Sequence, residues 1–177
     1  MSADNPFAGP DGKVELGETR GERRLHGLAD SRAATLALVQ ATRRSLRIFT
    51  DDLDGDLLGD EEIVAAASAM ARRNSYTFIR ILLHDPRTAV QTSNPLIRLI
   101  RALPSHIGVR RTAPEWADEP AAFIVADNHG LLHRSRADQF EGTIDFAAGA
   151  TAVQYRDWFD HVWEHSQPET EFRALGI

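Results

Sequence analysis

The residues that could do chemistry in this chain are carboxylates, histidines and one arginine-serine pair. Asp51, Asp52, Asp54 and Asp56 crowd a single loop directly after the apolar run Leu46-Arg47-Ile48-Phe49. A calcium loop counted from Asp52 needs glycine at its sixth position and glutamate at its twelfth; Leu57 and Ile63 stand there, so calcium chemistry fails. His161 and His165 are four apart with Glu164 between them. At about 100° per residue they lie roughly 40° apart on a helix, near enough to share one metal. The expectation is nonetheless a pair of surface histidines and no metal. Asp85 follows a second apolar run, and Asp127, Arg134, Ser135, Asp138 and Glu141 occupy a turn and the loop after it. With Asp52, these make the candidate binding set. Arg134 beside Ser135 has the chemistry to hold a small anion. The competing reading is a solvent-facing loop of weak salt bridges.

Composition narrows the chemistry. A chain of 177 residues that is 42% hydrophobic and 26% charged has enough apolar surface to build one core without staples. It has no cysteine, which removes disulfides, thiolate catalysis and cysteine-bound metal. Lys13 is the only lysine against 19 arginines, so no Schiff-base or lysine-centred phosphate chemistry is available in the folded part. A net charge of −6 opposes non-specific nucleic-acid binding. No apolar run approaches the ~20 residues that cross a bilayer, and the acidic, Pro/Gly-rich start is unlike a signal peptide. A cytoplasmic protein without membrane contact is expected. No glycine-rich acyl-CoA loop is present, and no cofactor is expected.

The elements that must position these residues follow from periodicity. Residues 1–24, rich in glycine and proline, read as a flexible arm, with an edge strand at Lys13-Val14-Glu15-Leu16. Residues 25–177 read as a single domain. Asp30 or Ser31 caps a helix reaching about Arg44. Residues 46–49 form a strand. Ile63, Val64, Ala67, Met70 and Ala71 then give a helix, acidic at its start and basic at its end. Residues 77–83 are a second strand, stopped by His84-Asp85-Pro86. A strand returning through a helix to a parallel neighbour is the unit of an α/β sheet. Asn94-Pro95 opens a short helix ended by Pro104, and residues 107–110 are a third strand. Ala122–Ala126 is a buried strand, Asp127 to Gly130 a turn, and residues 131–134 its hairpin partner. Ala150–His165 is a helix whose Tyr155, Trp158, Phe159, Val162 and Trp163 share a face that closes the core.

Three resemblances attach to these residues. Asp52 and Asp54 locally resemble the Asp-x-Asp of haloacid-dehalogenase-type phosphatases, but Asp56 stands where that family has Thr or Val, and its lysine is missing. His161 to His165 resembles the H-x-x-E-H string of inverted zinc peptidases, without their distant third ligand. The widest resemblance, over residues 31–165, is to phospholipase-D-like domains. These share the strand–helix–strand start and close on a Phe-x-x-x-Trp, here Phe159 and Trp163. Aligned on Asp127, their catalytic histidine falls at Pro120 and their lysine at Ala122. Their Gly-Ser-x-x-Asn string falls on Arg134-Ser135-Arg136-Ala137-Asp138.

That resemblance implies an α/β fold with a mixed sheet flanked by helices, half of a phospholipase-D-like pair. It also implies a degenerate site that forms no phosphohistidine. The expected function is a non-catalytic binding or scaffolding domain, not an enzyme. The alternative is a hydrolase or phosphoryl-transfer enzyme using acidic residues of the strand-end cleft. Because such domains work as facing halves, a homodimer or another protein partner is implied, meeting it through the sheet edge and loops. The chain also resembles uncharacterised bacterial proteins with such a degenerate domain, some of them fused to or beside GNAT-type acetyltransferases, which implies an acetyltransferase as one candidate partner.

Overall fold

The computed structural model describes residues 5–172. β1 (Arg23–Leu25) leads into α1 (Gly27–Ala41), which starts earlier than Asp30. Asp30 does not cap this helix but reaches back, its carboxylate accepting from the His26 N–H at 2.9 Å. The helix also stops before Arg44: Thr42 turns extended, and its hydroxyl donates to the Leu38 carbonyl at 2.7 Å.

β2 (Ser45–Thr50) crosses through α2 (Glu61–Ala71) to β3 (Phe78–Leu83), its parallel neighbour in the register Leu46↔Ile79. Asp60 caps α2, its side chain accepting from the N–H groups of Glu62 and Ile63. The next crossover holds two helices, α3 (Pro86–Gln91) and α4 (Pro95–Ala102), each with proline in its first turn and capped by Asp85 and Asn94. It reaches β4 (Ile107–Arg111), parallel to β3. The single turn Pro114–Trp116 precedes β5 (Ala122–Ala126), which runs antiparallel to β2. β6 (Gly130–Arg134) and β7 (Gly142–Asp145) continue the meander; after α5 (Ala150–His165), β8 (Gln167–Pro168) pairs with β4. The result is one mixed sheet of order β1-β7-β6-β5-β2-β3-β4-β8, flanked by helices.

The central strands alternate between two cores because both faces are covered. Ile48, Ile81, Ile124 and Leu132 pack towards α1, α2 and α4 with Leu38 and Met70. Phe49, Leu82, Phe123 and Val125 pack towards α5 with Phe159 and Val162. Gly130 lets the hairpin approach α1: a Cβ there would lie 2.6 Å from Leu38 Cδ1 and 2.9 Å from Leu16 Cδ2.

The expected arm differs across its described part. Phe7 is 6% exposed, its ring 6.1 Å from that of Phe146, and Val14 and Leu16 pack on the same core. Residues 13–16 form no strand; the segment is tied instead by Gly17 N–H donating to the Phe146 carbonyl at 2.9 Å.

Candidate functional site

Because β5 is antiparallel to β2, the carboxyl ends of β2, β3 and β4 share one end of the sheet with the start of β5 and the end of β6. In α/β sheets that end is where ligands bind. It gathers Asp52, Asp85, Arg134, Ser135, Asp138 and Glu141, together with Asp51, Asp54 and His84.

Arg134 stands directly opposite Ala122 across the hairpin, so both side chains lie on one face. Its guanidinium is 3% exposed and bound on several sides. Nη2 donates to Asp54 Oδ2, and Nη1 donates to the carbonyls of Ala137 at 3.2 Å and Gln139 at 2.9 Å. The Phe140 ring lies 5.5 Å from its Cζ. The solvated loop of weak ion pairs that the sequence suggested is therefore, at Arg134, a buried anchor. Asp54 is brought to it by a loop in which Leu53 and Asp54 both take positive φ (67° and 42°), held by Asp52 Oδ1 accepting from Asp54 N–H at 2.9 Å. Burial pushes the Asp54 carboxyl above its ordinary value, although the Arg134 charge pulls it down.

The space over Ala122, between Leu57, Leu58, Leu132 and Arg134, is about 10 Å³. That is at the limit of a single water molecule. The position matched to a catalytic lysine thus carries a buried alanine beside a very small space.

The other candidates serve local ends or face solvent. Asp85 caps α3, and hydrogen bonds from Arg87 hold its carboxyl below the usual range. Asp138 is exposed and forms a two-point pair with Arg136 at 2.9 and 2.6 Å, which likewise lowers it. Ser135 and Glu141 are exposed.

Asp127 does not belong to this end. It sits in the turn at the far end of β5, φ 52°, five residues from Ala122 and so roughly 16 Å along the strand. Its Oδ1 accepts from Arg44 N–H at 2.8 Å and Ser45 N–H at 2.9 Å, and its Oδ2 from Arg43 N–H at 3.0 Å. Its carboxylate is spent on pinning the entry to β2. The grouping of Asp127 with Arg134 is corrected accordingly.

His84 was not among the candidates. It follows β3, edge-on to Phe49 at 4.9 Å, with both ring nitrogens buried and without a hydrogen-bond partner among the described residues. Burial lowers its pKa, opposed by the neighbouring Asp51; the Asp51 carboxyl is raised by its own burial and by Asp52. A histidine just past a parallel strand was the available signal. The exposed His161 and His165 rings lie 4.6 Å apart, tilted at 49°, beside Trp116, and no cluster of three or more metal-ligating side chains occurs among the described residues.

The fold is that of several solved structures. Nuc from Salmonella typhimurium, a phospholipase D family member, matches with a TM-score of 0.58 at 12% identity, over 84% of this chain and 97% of that one. NucT from Helicobacter pylori matches at 0.54 and 9% identity, over 84% of this chain and 100% of its own. TrmBL2, an archaeal chromatin protein that binds DNA, matches at 0.59 and 10% identity over 86% of this chain; the present chain spans 55% of its length. At such identities the likeness is one of fold. No curated protein matches. A family model covers residues 27–175, nearly the whole described domain, and the chain therefore belongs to the family called domain of unknown function DUF7931.

Proposed function

We propose that this protein is a non-catalytic binding or scaffolding domain built on a phospholipase-D-like fold. The observation that carries this reading is the very small space over the buried Ala122. About 10 Å³ remains there, and a phosphoryl group does not fit. Two further features support it. Pro120 and Ala122 offer neither nucleophile nor cation, and the buried guanidinium of Arg134 is already engaged by Asp54. An incoming phosphodiester would also meet Asp51, Asp52 and Asp85 at the rim. Its partner is then a second copy of the chain or another protein. Purified protein incubated with a chromogenic phosphodiester should give no turnover above buffer; turnover abolished by Asp54→Asn would overturn the reading.

One observation favours the alternative, hydrolysis by strand-end acids. His84, with both buried ring nitrogens unpartnered among the described residues, lies beside Asp51, its backbone N–H donating to the Asp51 carbonyl at 3.1 Å, and burial holds the Asp51 carboxyl up. Hydrolysis lost in both Asp51→Asn and His84→Gln, with folding intact, would establish it.

A further inference from the structure

On the α5 side of the hairpin lies a second cavity, of about 310 Å³, lined by Phe123, Tyr155, Trp158, His133, Gln154 and Glu119. The fold puts the rings together. Phe123 and His133 are register partners on β5 and β6, so they share a face. Tyr155 and Trp158 are three apart on α5 and share one too. The rings meet at steep angles instead of closing into a stack: Phe123 to Tyr155 at 4.9 Å and 73°, Phe123 to Trp158 at 5.7 Å and 66°, His133 to Tyr155 at 5.4 Å and 65°. Trp158 is braced from behind by Phe49, 5.1 Å away and near perpendicular.

The charge in this cavity has one sign. Among the described residues, Glu119 is the only charged side chain in the lining; it is exposed, its Oε1 accepting from Ala121 N–H at 3.2 Å. Burial lowers the pKa of His133, so that ring is neutral near pH 7 and does not repel a cation. Aromatic faces carry negative potential. Elsewhere the protein fills such faces with its own arginines: Arg47 and Arg80 on Phe78, Arg80 and Arg110 on Trp163. No guanidinium lies over Tyr155, Trp158 or Phe123 among the described residues.

We propose that this aromatic cavity binds a small quaternary ammonium cation, with the half-buried rings of Tyr155 and Trp158 as walls, the buried Phe123, stacked on Phe49 at 5.3 Å, as the layer beneath them, and Glu119 as counter-charge. A quaternary ammonium has no N–H to satisfy and a diffuse charge, which suits ring faces and one carboxylate. The volume is at the lower end for ligand sites and matches a small ligand. The proposal gives the binding domain a ligand; it fails in a titration, whereas the non-catalytic reading fails in a turnover assay.

The test titrates the full chain with tetramethylammonium chloride and, separately, with neopentyl alcohol, which has similar shape without charge. Sodium chloride matches the ionic strength. Binding is read by calorimetry and by the indole N–H resonance of Trp158, assigned through Trp158→Phe. The cation should shift that resonance and bind about tenfold or more tighter than the alcohol. Tyr155→Leu should abolish binding, and the exposed Glu119→Gln should weaken it roughly fivefold with an unchanged melting temperature. Equal affinity for cation and alcohol, no shift at Trp158, or full affinity in Glu119→Gln would each overturn the proposal.

Discussion

Arg134 and Asp54 meet across 80 positions of sequence, one at the end of β6 and the other in the loop after β2. Their side chains are 3% and 12% exposed, so the pair has little water to fall back on. Asp54→Leu leaves a buried guanidinium unpaired and should cost about 3–5 kcal/mol; the double change Asp54→Leu with Arg134→Met should cost far less than the sum of the single changes. Urea unfolding of the four proteins measures it. Since Arg134 is engaged, phosphate should raise the melting temperature of the parent and of Ser135→Ala equally.

Asp127 receives three backbone N–H groups at the other end of the hairpin. Asp127→Ala leaves these donors without their acceptor and keeps a positive φ that alanine resists, for a loss of about 2 kcal/mol. Asparagine tolerates that φ and retains one acceptor oxygen, so Asp127→Asn should lose less than half as much in the same unfolding experiment.

His84 and His133 both have pKa values lowered by burial from 6.5. The unfolded chain therefore binds more protons than the folded one just below that value, and stability falls as pH drops through 6.5 towards the folded values. Above 6.5 the contribution is complete. Urea midpoints between pH 7.5 and about 5.5 should decline, and His84→Leu should flatten the decline; an unchanged slope would remove His84 from this account.

The last helix closes the core with fewer of its large rings than its pattern suggested. Phe159 and Val162 are fully buried, whereas Trp158 and Trp163 are only half-buried. Phe159→Ala should cost about 3–5 kcal/mol, and Trp158→Ala less than Phe159→Ala, in thermal or urea unfolding.

Strong periodicity made some elements legible at their observed bounds. The continuous apolar run Ala122–Ala126 and the amphipathic Ala150–His165 are examples, since each carries its whole signal locally. β1, β7 and β8 were not legible. β7 has a single buried residue, Ile144, and β8 has two residues in all, so neither has a pattern to read. The Arg134–Asp54 pair was hidden for a different reason. Each residue sits in a run of charges that looks solvated, and only tertiary contact separates the buried member from its exposed neighbours. Asp127 was separable in principle: a hairpin with a turn at Asp127 must put Arg134 at its open end. The aromatic cavity needed both the helix face and the strand register, of which the sequence displays only the first.

The sheet finishes, beyond β4, in a two-residue strand that ends on Pro168. Proline brings no N–H to a ladder, and two residues give an approaching chain almost nothing to copy. At the opposite border β1 is three residues long. Among the described residues, the two outermost strands are thus poor templates for β-augmentation. Edge-to-edge pairing at these two short strands would therefore have little backbone to copy.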